Sequence, residues 1–526
     1  MEELELFQIK IAGPMERAGP LYVRAEQGAF DSSTGALRKG EALSLDTYFN
    51  SFSCSKYLRW TRVSQAAAEL NLSGPFQVEL YACRKGKHSL ASRQKAEGAV
   101  RIPFDFSKEE EDARYWLRLT AAGEGCRFLG GRFTCRAEPD RVQVALVICT
   151  YRREEYVLRN LEILSRQLLS SASLVKEEIA IFVVDNGQTL TGRFPQGERL
   201  HLFPNKNLGG SGGFTRGLLE AMARREEFTH VLLMDDDVII EPNALEKTIQ
   251  FLKILRPEYA DLHIAGGMLD IDRPAVQHEA TARWGKGVVH PLKSGLDLSE
   301  AASLSQNERE EPADYAGWWY LCMPLSLVKP DNLPLPLFIK CDDAEYGLRN
   351  IRRLTAINGV GVWHKGFSAK YSPWLDYYVN RNIMVVDAIH SPAGSRMNIR
   401  LVLLKKMMSY LALGIPEASV FIQEAVRDYL KGPDFFLKVD QEAKNKELRT
   451  LCPQANQVQE LPMRQKLLRL LGKAFTPSFW RVFGEYRRLS AEYQAGHKKA
   501  EALYQHRWRQ LANQEEWERM LGRRTH

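Results

Sequence analysis

The chain has no run of about 18 apolar residues, so no transmembrane helix is expected. Its first ten residues, MEELELFQIK, are acidic and lack a long apolar core, unlike a secretory signal. None of the eight cysteines (Cys54, Cys83, Cys126, Cys135, Cys149, Cys322, Cys341 and Cys452) sits in a C-x-x-C pair. That argues against a zinc site and a disulfide scaffold, and reduced thiols in a cytosolic protein are expected. Cys126 and Cys135 are spaced so that they could face each other across a hairpin. The glycine-rich stretch has no Gly-Lys-Ser/Thr after it, which excludes a P-loop. Basic charge is concentrated at one end. Residues 463–526 hold 14 Lys/Arg and 6 Asp/Glu, a local +8 against +7 for the whole chain. The remainder has no basic stripe, so no nucleic-acid partner is expected.

What is present divides 526 residues into about three domains. Residues 1–138 read as β-rich. FQVELYA puts Phe76, Val78, Leu80 and Ala82 on one face, and further short strands are separated by turn residues. An N-terminal β-sandwich is expected. Residues 139–395 alternate buried strands (VQVALVICT, EIAIFVVD, HVLLMDDD) with amphipathic helices, an α/β pattern of the doubly wound kind. Residues 396–526 read as helical and basic. MRQKLLRLLGKAFTPSFWRVFGEYRRL combines Leu, Phe and Trp with seven basic residues and one acid, a composition suited to an anionic membrane surface or to a bundle helix with a solvated face.

The chemistry gathers where strands end. Asp235, Asp236 and Asp237 follow a buried strand. In an extended chain Asp235 and Asp237 would share one side, a hard oxygen site suited to Mg²⁺ or Mn²⁺. Thr150 and Asp185 close the two preceding strands, and ligands of α/β sheets bind at such ends. Asn207-Leu-Gly209-Gly210 opens a helix, a turn that admits a ligand close to the backbone or packs a helix tightly on the sheet. A short apolar strand is expected before Asp342 and Asp343, which either cap a helix or supply a general base. His364 ends another strand and could complete a metal site. Trp318 and Trp319 suit a core or a sugar platform.

Taken in order, VICTYRR, VVDNG, NLGGSGGFTRG, LLMDDDVIIEP, FIKCDDAEYGLR, VWHKGF and YYVNRN resemble glycosyltransferase family 2 proteins of the GT-A fold, in particular bacterial galactofuranosyltransferases including the mycobacterial galactan polymerases. The resemblance implies a GT-A core between a β-sandwich and a helical region. It implies a metal-dependent, inverting transfer of galactofuranose from UDP-galactofuranose to a lipid-linked galactan of O-antigen or cell-wall type. Thr150, Arg153 and Asp185 would line the uridine site, with Asn207, Gly209 and Gly210 as the donor wall. Asp235, Asp237 and His364 would hold Mn²⁺ or Mg²⁺, and Asp236 would sit near the ribose or donor sugar. Asp343 would be the base, with Asp342, Trp318 and Trp319 at the acceptor. Cys341 departs from the mycobacterial pattern, which has Trp there. The implied setting is the cytoplasmic face of the inner membrane, reached through the C-terminal basic helices, and a homo-oligomer is compatible with it. The alternatives are a family 2 enzyme using another nucleotide sugar, such as a rhamnosyltransferase, and a non-catalytic glycan-binding assembly protein.

Overall fold

A glycine and a proline shape the N-terminal sheet. The computed structural model describes residues 2–27, 30–109, 112–170, 173–366, 372–392, 397–453, 461–474 and 476–523. Within it the 20-residue strand Gln65–Arg84 is interrupted at Ser73-Gly74-Pro75, where its register with Lys87–Asp105 jumps. Gly74 adopts φ +85°, and Pro75 has no N–H for the ladder. The strand's first half pairs with Cys126–Ala137 and its second half with Arg114–Ala121. One eight-stranded sheet therefore has two arms. Phe104, opposite Ala66, stacks on Tyr115, opposite Ala82, with ring centroids 5.0 Å apart. Two facing layers thus arise from one bent sheet. Cys126 and Cys135 lie on the same strand, so they do not face each other across a hairpin, and all eight cysteines are free thiols.

The second sheet centres on Val144–Thr150. Val144, Leu146 and Ile148 enter the core shared with the N-terminal sheet, whereas Ala145 and Val147 enter the core beneath the helix Gly209–Ala223. Burial on both faces explains the unbroken apolar run. Ile179–Asp185 pairs in parallel on one side and His230–Asp235 on the other. Beyond His230–Asp235 the sheet continues antiparallel through Leu321–Pro324 and Leu262–Asp270, and Arg353–His364 runs parallel to the latter. Strand order reverses at Val144–Thr150, the kind of crevice where α/β sheets bind ligands. Register sets Thr150 beside Asp185 and Cys149 beside Asp235.

The expected apolar strand before Asp342 does not form. Residues 334–339 are irregular, because Pro334 and Pro336 remove two ladder donors. Phe338, Lys340 and Cys341 adopt left-handed φ values of 72°, 69° and 63°. The helical region starts with Leu375–His390, whose Tyr377 and Tyr378 share a core with Leu335, Leu337 and the later helices. The expected boundary between residues 395 and 396 lies outside the described residues. The last helix, Gln514–Leu521, returns to the α/β sheet and buries Trp517 beside Leu208 and Leu218. Among the described residues no helix is long and apolar enough to cross a membrane.

Candidate active site

Asp235 ends its strand, and Asp236 and Asp237 form the turn after it. The shared side expected of Asp235 and Asp237 is therefore produced by a turn and not by strand alternation. Asn160, fully buried in the helix Glu154–Gln167, holds this turn by donating its amide to the carbonyls of Asp236 (2.9 Å) and Val238 (3.1 Å). Asp235, Asp237 and His364 bring one ligand atom each into a common space, all within 4.8 Å of one another. His364 Nε2 lies 3.1 Å from Asp237 Oδ1 and 3.7 Å from Asp235 Oδ2. His364 Nδ1 is 2.8 Å from the Lys365 carbonyl. A carbonyl only accepts, so in the neutral imidazole Nδ1 carries the proton and Nε2 turns a lone pair to the carboxylates. Two carboxylates and one imidazole fit Mn²⁺ or Mg²⁺, and the nitrogen ligand weighs toward the transition metal. Arg153 Nη1 flanks the group, 2.6 Å from Asp237 Oδ2 and 3.3 Å from Asp236 Oδ1. Burial pushes the Asp236 carboxyl up to about 6, against the opposing pull of Arg153 and the Thr150 hydroxyl.

A second acidic pair opens the helix Asp342–Asn350. Burial raises both carboxyls, and the charge of Asp343 raises Asp342 further. Two adjacent buried carboxyls do not both ionise readily, so the pair shares a proton and keeps one carboxylate able to accept another. The charge of Asp235 also raises both, so the two acidic groups act on one space. Glu279, at the end of Val276–Glu279, is pushed up to about 7 by burial and then by Asp343. Six carboxyl groups are thus set against Arg153 and Lys340, an imbalance that a bound cation relieves. The three left-handed residues before the pair cost roughly 1–2 kcal/mol each, strain located at the site itself.

The glycine-rich turn lies against this second pair. Asn207 Oδ1 accepts the Gly209 N–H at 3.1 Å. Gly209 has φ +70°, and a Cβ there would fall 2.1 Å from the Phe338 carbonyl oxygen. A Cβ on Gly210 would stand 3.6 Å from Asp342 Oδ2. Asp185 is fully buried, and its oxygens accept the N–H groups of Gly187 (3.0 Å) and Leu190 (2.8 Å), so it shapes its own loop. Trp318 and Trp319 are expected in a core or as a sugar platform. They are 4% and 6% exposed because both pack in the core, Trp319 with its indole N–H on the Gly266 carbonyl at 2.9 Å and Trp318 against Phe214 and Tyr346. Sequence reasoning missed Asn160 and Glu279. Asn160 had a signal, a polar residue on the face that buries Val157, Leu161 and Leu164. Glu279 had none, because its neighbour Asp343 is distant in the chain.

Residues 139–353 match the family described as glycosyltransferase like family 2, and residues 22–127 match galactofuranosyltransferase 2 N-terminal. The chain is 28% identical over 434 residues to galactofuranosyltransferase GlfT2 of Mycobacterium tuberculosis (strain ATCC 25618 / H37Rv), covering 76% of this chain and 66% of that protein. It is 28% identical over 428 residues to galactofuranosyltransferase GlfT2 of Mycolicibacterium smegmatis, covering 74% and 64%. The match thus spans a little under two thirds of each relative. Among solved structures, mannosyltransferase PcManGT from Pyrobaculum calidifontis in complex with GDP-Man and Mn²⁺ aligns at 13% identity with a TM-score of 0.32, covering 64% of this chain and 89% of that one.

Proposed function

For a chain whose residues 139–353 form a glycosyltransferase family 2 domain and whose residues 22–127 form a galactofuranosyltransferase 2 N-terminal domain, we propose inverting transfer of galactofuranose from UDP-galactofuranose to a growing, lipid-linked galactan. The observation that carries this reading is the convergence of Asp235, Asp237 and His364 at the strand ends, with Asp343 acting on the same space. Asp235, Asp237 and His364 would hold Mn²⁺ or Mg²⁺, whose positive charge would offset that of the leaving diphosphate. Thr150, Arg153 and the loop shaped by Asp185 border the uridine, with Asp236 near the ribose or donor sugar. Asn207, Gly209 and Gly210 form the donor wall.

Asp343 takes the proton of the acceptor hydroxyl as that oxygen attacks the anomeric carbon from the face opposite the diphosphate. The new C–O bond forms as the bond to the diphosphate breaks, its electron pair leaving with UDP. One displacement with one base inverts the centre, and no carboxylate nucleophile is required. Asp342, adjacent to the base, borders the acceptor. The basic C-terminal helices bring the protein to the cytoplasmic membrane face that carries the acceptor.

The test is UDP or dTDP release with Mn²⁺ and a galactose-terminated lipid acceptor. UDP-galactofuranose, UDP-galactopyranose, UDP-glucose and dTDP-rhamnose are compared, each with an EDTA control. Release from UDP-galactofuranose alone, abolished by EDTA, is expected; release only from another donor overturns the donor assignment. Asp343→Asn should lower turnover by roughly 10³-fold while UDP affinity holds, because the base acts on the acceptor proton and not on the nucleotide. Turnover retained in that variant removes Asp343 as the base.

A further inference from the structure

We propose that Asn382 is the positioning residue for Asp342 and Asp343, locking the left-handed loop from Leu337 to Cys341 that delivers them; the functional meaning of this lock rests on Asp343 being the base. Asn382 is fully buried in the helix Leu375–His390. Its amide nitrogen lies 3.2, 2.9 and 2.8 Å from the carbonyl oxygens of Leu337, Ile339 and Lys340. Successive carbonyls of an extended strand alternate sides, so one amide cannot gather these three from a strand. Left-handed Phe338 and Lys340 turn them to a common side. Loop conformation and Asn382 therefore specify each other.

The lock is itself held. Asn382 Oδ1 accepts from Arg381 Nε at 2.9 Å, and Arg381 Nη2 donates to the Leu337 carbonyl at 2.7 Å. The buried Arg381 guanidinium lies 4.8–5.6 Å from the ring centres of Tyr377, Tyr378, Phe435 and Phe436. Arg381 Nη1 donates to the Tyr377 hydroxyl at 3.1 Å, which donates to Asp428 at 2.7 Å. From the opposite side Ser211 Oγ accepts the Phe338 N–H at 2.9 Å. Asp342 follows the loop directly, so its release displaces both acids. A shift of about 1 Å in a reacting group costs on the order of 10²-fold in rate.

The test variant is Asn382→Asp, which keeps the shape and the oxygen that accepts from Arg381 but sets an acceptor oxygen, in place of the donor nitrogen, against three carbonyls. If it fails to fold, Asn382→Ser, which retains one donor, replaces it. With UDP-galactofuranose and Mn²⁺, kcat should fall roughly 100-fold, with the donor KM and UDP affinity within about threefold of wild type. Amide hydrogen exchange in the peptide 334–345 should accelerate while that of 144–150 is unchanged. Turnover and exchange equal to wild type overturn the proposal. So does loss of UDP binding with faster exchange throughout, because Asn382 would then serve the fold at large. If wild type turns over none of the donors, the functional reading fails, and the exchange comparison alone still decides the lock.

Discussion

Glu279 weakens the fold at neutral pH and sits beside the candidate base. A glutamate ordinarily titrates near 4.3, and burial with Asp343 nearby pushes Glu279 up to about 7. The folded chain therefore binds this proton more tightly than the unfolded chain does. Stability falls as pH rises from about 4.5 to 7, and the penalty is fully present above 7. Glu279→Gln should raise unfolding stability at pH 8 by about 3 kcal/mol, a gain that vanishes near pH 4. Denaturant midpoints at the two pH values measure it, and a gain of the same size at both would show that burial of the charge is not the cause. A buried carboxyl kept at a cost to stability is the mark of a site serving chemistry.

The helix Met463–Lys473 holds its apolar side chains in the open. Leu467, Leu468 and Leu471 are 57%, 61% and 65% exposed, with Arg464 and Arg469 also exposed and Trp480 at the start of the next helix. Apolar burial and attraction to anionic lipid act together on such a surface. Leu467→Glu with Leu471→Glu should cut co-sedimentation with phosphatidylglycerol vesicles at least tenfold and leave the unfolding midpoint unchanged. Equal sedimentation would exclude this helix as the membrane contact. Its character was legible in the sequence, as were the central strands and the acids that end them, because period and composition are local. The bent strand was less so: Gly74-Pro75 signals a break but not that the two halves pair with different strands. The apolar stretch before Asp342 reads as a strand by composition, yet Pro334 and Pro336 and three left-handed residues make it a loop. Trp318 and Trp319 carry both readings in the sequence, and the structure packs both in the core.

The loop that carries the candidate base is a meeting point for segments far apart in the chain. The Leu333 N–H donates to the Ala512 carbonyl at 2.9 Å, and the Gln514 N–H to Pro330 at 2.7 Å. The Trp517 indole donates to Pro334 at 2.8 Å, and the Gln441 amide to Pro336 at 3.1 Å. Segments beside residue 211, near 382, near 441 and from 512 to 517 thus all bear on residues 330–341, so the helical region forms one wall of this loop. Removing the largest of these plugs should be felt at the site and not only in the tail. Trp517→Ala should cost about 3–5 kcal/mol, the range for deleting a fully buried large aromatic. It should also speed amide exchange in 330–341. Trp480→Ala, at a side chain 54% exposed, should stay within about 0.5 kcal/mol. Unfolding midpoints of the two variants measure the difference. If Trp517→Ala matched Trp480→Ala, the last helix would not be holding the loop. A large cost confined to Trp517, with faster exchange at the loop, would mean that the helix Gln514–Leu521 holds in place the loop that leads to Asp343.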